Sequence, residues 1–316
     1  EVGGIVAPVY LFQDTPLKIE NLRIVTSVAG KKLSVSFKTA GQAAGATVEP
    51  KVVDASGAPV PLAGLAAKPA ASEMSWETAW ENPHLWSDED PYLYELQLTV
   101  KGQDGKETVQ EQSFGFREIS LSGRDILLNG SPVRLFGLSY EPQCLDSWPR
   151  TDEEFNYRYF MALKKNFGVN AVRFHHIPAW PAQLRAADRA GILAINQSGL
   201  WTGGRFANYR AGNLFIETMK KEFSEWIWRD INHPSTIIWD TANEYIIGSP
   251  EWQDFWLKLD EMVKDIDKTR PVEQSGSGFE YRNPMIRHFH CRENWDQVFD
   301  FMGKKETPAI FGEFWI

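Results

Sequence analysis

Near residue 120 the chain changes its hydrophobic rhythm, and that change limits the folds open to it. Upstream, short runs of β-branched and aromatic residues alternate with turn residues: KIENLRIVTSV, KLSVSFKT, TVEPKVVDA, YLYELQLTV and ETVQEQSFGF. Gly-rich or Ala/Pro-rich stretches such as TAGQAAGA, ASGAPV and PLAGLAAKPAAS (61–72) separate them. This spacing reads as an antiparallel β-sandwich of about 100 residues, placed at 17–120. Downstream, apolar strand-like runs alternate with amphipathic helices. The strand candidates are PVRLFGLS, VNAVRFHH, ILAINQS, STIIWDTANE, PVEQSG, IRHFHC and AIFGEFWI. The helices between them carry start and stop signals: a capping box at Thr151–Glu154, stops at Gly168 and Gly191, Asn213 and Ser249-Pro250 as starts, and a second box at Asn294–Gln297.

Strand–helix alternation implies parallel strands joined by right-handed crossovers. Seven such strands over 121–316 suit a (β/α)8 barrel that stops after strand 7; a doubly wound sheet is the alternative. Polar or reactive residues stand at the C-terminal end of nearly every strand: His175, His176, Gln197, Asn243, Glu244, His290 and Glu313. Barrel active sites are built at that end, which favours the barrel. With an eighth unit lacking, the expected barrel has unpaired edges and exposed apolar core, so residues 1–316 alone are expected to be poorly soluble and inactive.

Charge and composition remove several functions. A formal net charge of −9, with no basic cluster, argues against nucleic acid as a partner. No run of 18 apolar residues is present, so no membrane span is expected. The two cysteines, Cys144 and Cys291, fit neither a disulfide framework nor a zinc spacing. No secretory leader is legible in EVGGIVAPVYLF, and the compartment is left open. Thirteen Trp residues either fill cores or offer flat platforms to sugar rings.

Two acids sit where acids are costly. Glu244 ends the apolar run TIIWDTANE, and Glu313 interrupts PAIFGEFW. Burying such a group requires a partner, and either one alone reads equally well as a structural ion pair. Two at the same end of one barrel suit glycosidic bond cleavage, in which one carboxyl donates a proton and the other attacks.

The motifs around them resemble glycoside hydrolase family 2, the group of β-galactosidases, β-glucuronidases and β-mannosidases. GGIVAPVYLFQDTPLKIENLRIVTSV looks like the end of that family's N-terminal sugar-binding domain (here 1–16) running into its immunoglobulin-like domain. HLWSDEDPYLYELQLTV and SFGFREISL look like late strands of that domain, and ILLNGSPVRLFGLSYEP like the entry into the barrel. VNAVRFHHIPAW is similar to the second barrel strand, WIWRDINHPSTIIWDTANE to the acid/base motif and TPAIFGEFW to the nucleophile motif.

The resemblance implies a retaining exo-glycosidase cleaving a terminal β-linked sugar, β-galactoside-like by preference; no cofactor or metal is expected, because the leaving-group proton and the nucleophile both come from side chains. It implies Glu244 as acid/base, Glu313 as nucleophile, Asn243 on the sugar 2-hydroxyl and Arg173 as the cation beside the nucleophile. His176 either lines the sugar subsite or is a core histidine. The substrate would be an oligo- or polysaccharide-derived β-glycoside, and a homo-oligomer is compatible with the family.

The chain also departs from the pattern. Gln197-Ser198 stands where an acid is common, and the sixth strand offers His288 and His290 where the family has a Tyr. Neither the GVNRHEH-like run of many galactosidases nor the glucuronidase Asn/Lys signature is present. Trp148, Trp201 and Trp239 are the platform candidates because they lie in or after strand ends. Two other readings are a non-catalytic carbohydrate-binding protein on a degenerate barrel and an endo-acting relative. A retaining mechanism requires the two carboxyl groups about 5–5.5 Å apart.

Overall fold

The structure, a computed structural model, describes residues 17–41, 45–140, 147–201, 213–244, 250–276, 284–290 and 294–313, together with Val9. Two antiparallel sheets form the first layer pair. One contains β1 (Leu17–Ser27), β2 (Lys32–Gly41) and β6 (Glu73–Ala79), in the order β1-β2-β6. The other runs β4 (Pro59–Val60), β3 (Thr47–Val53), β7 (Tyr94–Lys101), β8 (Glu107–Phe114), with β5 (Lys68–Pro69) on the side of β3.

Alternation decides which face is inward. In β6, Met74, Trp76 and Thr78 are buried while their neighbours are exposed; in β7, Tyr94, Leu96, Leu98 and Val100 are buried. All of these but Thr78 meet Leu33, Val35, Phe37, Val48 and Phe114 in one core. Each fully buried Leu, Val or Phe contributes about 1.5–3 kcal/mol over its exposed state. A slip of one residue would turn every one of them to solvent, so the hydrophobic pattern fixes the register.

A three-stranded meander follows: β9 (Ile119–Ser122), β10 (Asp125–Leu128) and β11 (Ser131–Val133). Asn129-Gly130 joins the last two, both residues at positive φ (54° and 81°), the conformation that a two-residue hairpin of this twist demands. Ile119, Ile126 and Leu128 of the meander pack on Ala171, Leu193, Ile237 and Ile286, all at the N-terminal ends of barrel strands. The meander therefore plugs the bottom of the barrel.

The seven strands read from the sequence are all present. β12 (Gly137–Tyr140), β13 (Ala171–Phe174), β14 (Leu193–Gln197), β15 (Thr236–Asn243) and β16 (Val272–Ser275) form one parallel sheet in chain order. β17 (Arg287–His290) pairs in parallel with β18 (Ala309–Glu313). Two seams separate these sheets, and across the one between β18 and β12, Ser139 Oγ donates to Gly312 O at 3.5 Å. The chain thus holds a β-sandwich and seven strands of a (β/α)8 barrel.

The helices between the strands are α1 (Ser147–Thr151), α2 (Glu153–Phe167), α3 (Pro181–Ala190), α4 (Asn213–Asp230), α5 (Pro250–Ile266) and α6 (Trp295–Lys304). The start of α2 corrects one expectation. Asp152, not Thr151, caps it, its carboxylate accepting from Phe155 N at 2.9 Å. An acid at this place also matches the positive end of the helix dipole. Gly168 and Gly191 end α2 and α3 in the left-handed conformation, and Asn294 caps α6. Among the described residues no helix is long and apolar enough to cross a membrane.

Backbone-directed polar side chains join the two parts. Arg117 donates to Pro234 O at 3.0 Å and Thr236 O at 2.9 Å. Asn232 accepts from Ile24 N at 2.9 Å and donates to Leu22 O at 2.8 Å, so one amide mimics a strand partner for β1. Trp86, fully buried, donates to Asp188 O at 2.9 Å.

Candidate active site

At the C-terminal rim of the strands, Arg173 is the centre of the charge arrangement. It is 3% exposed, carried near the end of β13. Its guanidinium donates to Glu313 Oε1 at 2.7 Å, Asn243 Oδ1 at 3.2 Å and Ser139 Oγ at 3.2 Å. Because Arg can only donate, the Asn243 atom facing it is the oxygen, which leaves the amide N–H2 to donate elsewhere. Glu313, at the end of β18, also lies 3.7 Å from His175 Nε2.

Glu244 directly follows β15 and has φ 46°, an uncommon conformation for a side-chain-bearing residue. The backbone is held there by Glu244 N donating to Ser275 O at 2.9 Å. Its Oε2 accepts from the Trp201 indole N–H at 3.1 Å, and its Oε1 lies 3.3 Å from His290 Nδ1. That same Nδ1 is 3.6 Å from Glu313 Oε2. Carboxylate oxygens of Glu244 and Glu313 approach within 4.8 Å of one another.

Both histidines beside the pair are held neutral. Burial, with His288 next to it, pushes His290 down to about 4. Burial, with Arg173 beside it, pushes His175 down to about 4 as well, although Gln197 Oε1 lies 3.0 Å from its Nδ1. A neutral ring can donate from one nitrogen without adding charge between two carboxyl groups.

One layer deeper lies a cluster that the sequence reading did not identify. Asp240, Glu273 and His288 are fully buried, and one donor atom from each lies within 4.8 Å of the others. Asp240 accepts from Gln197 Nε2 at 2.5 Å, from Ser275 Oγ and from Ser275 N at 3.2 Å. Glu273 has His288 Nδ1 at 3.2 Å, and its oxygens accept no hydrogen bond among the described residues. Burial and Glu273 push Asp240 up to about 7; burial pushes Glu273 up to about 8 and His288 down to about 3. Of the two acids, Glu273 carries the proton, because only Asp240 has donors to stabilise a charge. Both triplets, this one and Glu244–His290–Glu313, have metal-ligand chemistry, and in both Arg173 already acts as the nearby positive charge.

Two expected contacts are corrected. His288 does not reach the rim: it is 1% exposed and packed so closely that a Cβ on Gly312 would lie 1.7 Å from its Nε2. Trp239 is no platform either. It is fully buried, donates to Asp267 Oδ2 at 2.8 Å and lies under Arg270, on the helix side of β15. The Trp148 side chain lies outside the described residues. Trp201 and His176 do stand at the rim, stacked with ring centroids 5.3 Å apart. Nearby, Gly199, Leu200, Pro178, Met219, Phe223 and Trp226 line a cleft of about 570 Å³.

Asp240 and Glu273 were findable. Each is an acid inside an apolar strand, WDTAN and PVEQS, the same signal that marks Glu313.

Comparison with known proteins gives one family. Residues 120–313 match the model described as glycosyl hydrolases family 2, TIM barrel domain, and residues 17–117 match glycosyl hydrolases family 2. Among curated proteins, "Beta-galactosidase 2" of Enterobacter cloacae is 29% identical over 240 residues, covering 73% of this chain and 22% of that protein. A "Beta-galactosidase" of Pectobacterium atrosepticum is 30% identical over 222 residues, 69% of this chain and 21% of that one. Among solved structures, a β-D-glucuronidase of Dictyoglomus thermophilum shares the fold with a TM-score of 0.77 at 21% identity. That match covers 94% of this chain and 54% of the other. The chain spans about a fifth of the length of the curated relatives named here.

Proposed function

Because the chain belongs to glycosyl hydrolase family 2, we propose that it carries the catalytic pair of a retaining, exo-acting β-glycosidase, with Glu313 as nucleophile and Glu244 as acid/base. The observation that carries this reading is the approach of the two carboxyl groups within 4.8 Å, each in its own electrostatic setting. One oxygen of each group within 4.8 Å of the other suits retention, whose carboxyl groups stand about 5–5.5 Å apart, better than inversion at about 6.5–9.5 Å.

The settings divide the labour. Glu313 is paired with the buried Arg173 cation, which suits the nucleophile. Glu244 faces an indole N–H and a neutral imidazole, with the carboxylate of Glu313 close by. A like charge so near disfavours a second one, which suits a carboxyl that begins protonated. In the first step Glu313 forms a bond to the anomeric carbon as the glycosidic oxygen departs with the proton from Glu244. In the second, Glu244 takes a proton from water, the water oxygen bonds to the anomeric carbon and the Glu313 carboxylate is released. In this reading Asn243 donates to the sugar 2-hydroxyl. Proton and nucleophile both come from side chains, so no step is assigned to a cofactor.

A β-galactoside-like substrate is favoured because the curated relatives are named β-galactosidases, and a panel of nitrophenyl β-galactoside, glucuronide, mannoside and glucoside decides it. The roles are tested by two variants of the intact protein. Glu244→Ala should nearly abolish hydrolysis of natural sugars yet keep much of the first step on nitrophenyl glycosides, with azide giving a β-glycosyl azide. Glu313→Ala should lose the first step for every substrate, and azide rescue should give the α-azide. The same leaving-group dependence and the same azide anomer from both variants would mean that the roles are misassigned.

A further inference from the structure

Trp201 follows β14, and a backbone bridge joins it to Asn243, the residue before Glu244. Its indole N–H donates to Glu244 Oε2 at 3.1 Å. Its ring stacks on His176, the planes 11° from parallel. Even so the residue is 49% exposed. A large flat ring is therefore fixed by its polar edge, covered on one face by His176 and, among the described residues, open on the other. Aromatic rings in this state offer the apolar side of a sugar or aryl ring a preformed partner at little conformational cost.

Which part of the substrate meets that face follows from the edge contact. If Glu244 is the acid/base, its carboxyl lies against the glycosidic oxygen. A ring bonded to that carboxyl then stands beside the leaving group, away from the anomeric carbon that Glu313 attacks. We propose that Trp201 builds the leaving-group side of this site in two ways. Its N–H positions the Glu244 carboxylate, and its open face stacks on the pyranose or aromatic ring of the leaving group. The proposal rests on the assignment of Glu244 as acid/base.

The two parts separate by substitution in the intact protein. Trp201→Phe keeps a flat ring and removes the donor; Trp201→Ala removes both. Among the described residues, the other ionisable groups facing Glu244 are His290 of β17 and Glu313 of β18, and neither is altered. A donor to a carboxylate favours its ionised form, so its loss keeps Glu244 protonated to higher pH. With a disaccharide substrate, whose poor leaving group requires the acid, Trp201→Phe should move the basic limb of kcat/KM up by about 0.5–1 pH unit. Trp201→Ala should raise KM for the disaccharide about five- to tenfold, and leave KM for the methyl β-glycoside of the same sugar near wild type.

An unmoved basic limb in Trp201→Phe overturns the positioning role. A rise in KM of equal size for disaccharide and methyl glycoside in Trp201→Ala overturns the leaving-group site and puts the ring under the terminal sugar instead. Thermal midpoints within a few degrees of wild type establish that both variants fold, and the ring's exposure makes the Phe variant safe in that respect. Glu244→Ala, run alongside, separates the premise from the proposal. If that variant slows disaccharide and nitrophenyl glycoside equally, the assignment of Glu244 fails and the proposal with it. If it spares the nitrophenyl substrate while the Trp201 variants behave like wild type, the assignment stands and the proposal alone fails.

Discussion

Replacing Arg173 with Met would leave the carboxylate of Glu313 largely buried beside Asn243 with no cation. Removing one partner of a buried pair costs about 3–5 kcal/mol, far more than any surface pair of this chain contributes. Arg173→Met should therefore lower the thermal midpoint, and kcat/KM should fall by about 10²–10³-fold, as when a preorganised donor is lost. Arg173→Lys should recover little, since a point charge cannot reach Glu313, Asn243 and Ser139 together. Near-wild-type kinetics in either variant would contradict the role given to Arg173.

The deeper cluster gives stability a pH signature of known sign. Glu273 ionises near 4.5 in the unfolded chain but is raised to about 8 in the fold. Between those values the native state holds the extra proton, so its contribution to stability is lost as pH rises through that window. His288, lowered to about 3, and His175 and His290, lowered to about 4, work in the other direction. Below about 6.5 the unfolded chain binds more protons at these sites, so stability is lost as pH falls. Denaturant unfolding at pH 5, 6.5 and 8 should show the maximum in between, and Glu273→Gln should flatten the alkaline loss. An unchanged alkaline loss in that variant would place the proton elsewhere. At this scale, Glu244 and Glu313 are legible because an acid in an apolar strand is conspicuous. Trp239 is misleading because β15 is buried on both faces and carries no alternation to say which side a residue takes.

Strands and helices follow from local signals wherever the pattern has a period. The inward set of β7 and the left-handed ends at Gly168 and Gly191 are written into the sequence, whereas β6, which alternates as regularly, is not among the strands expected above. The run PVRLFGLS is less transparent: it divides between β11, ending at Val133, and β12, starting at Gly137. The Asn-Gly turn before it was the available clue to the meander. Contacts between distant elements leave no such trace. Nothing local in Asn232 announces that its amide completes the hydrogen bonding of β1, more than 200 residues away. Asn232→Ala leaves Ile24 N and Leu22 O without that partner. It should cost about 1–3 kcal/mol in denaturant unfolding, with little change in kcat/KM. A cost within error of zero would mean that water replaces the amide and that this contact does not hold the sandwich to the barrel.

For the whole molecule, the sandwich and meander seat the strands from below, and the chemistry collects at their opposite ends. The two carboxyl groups come from Glu244, directly after β15, and Glu313, at the end of β18, and β13 delivers the arginine that tells them apart. Barrel closure brings these ends together, which is why order along the chain predicts the rim while distances across it require the structure. The short separation of Glu244 and Glu313 fits the retaining reaction proposed above. Proton NMR of nitrophenyl β-glycoside hydrolysis by the intact protein identifies the anomer formed first. The geometry predicts the β-anomer, with the α-anomer growing in only later by mutarotation. An α-anomer formed first would contradict it, since that product requires a water where the structure has Glu313 and Glu244 in close approach.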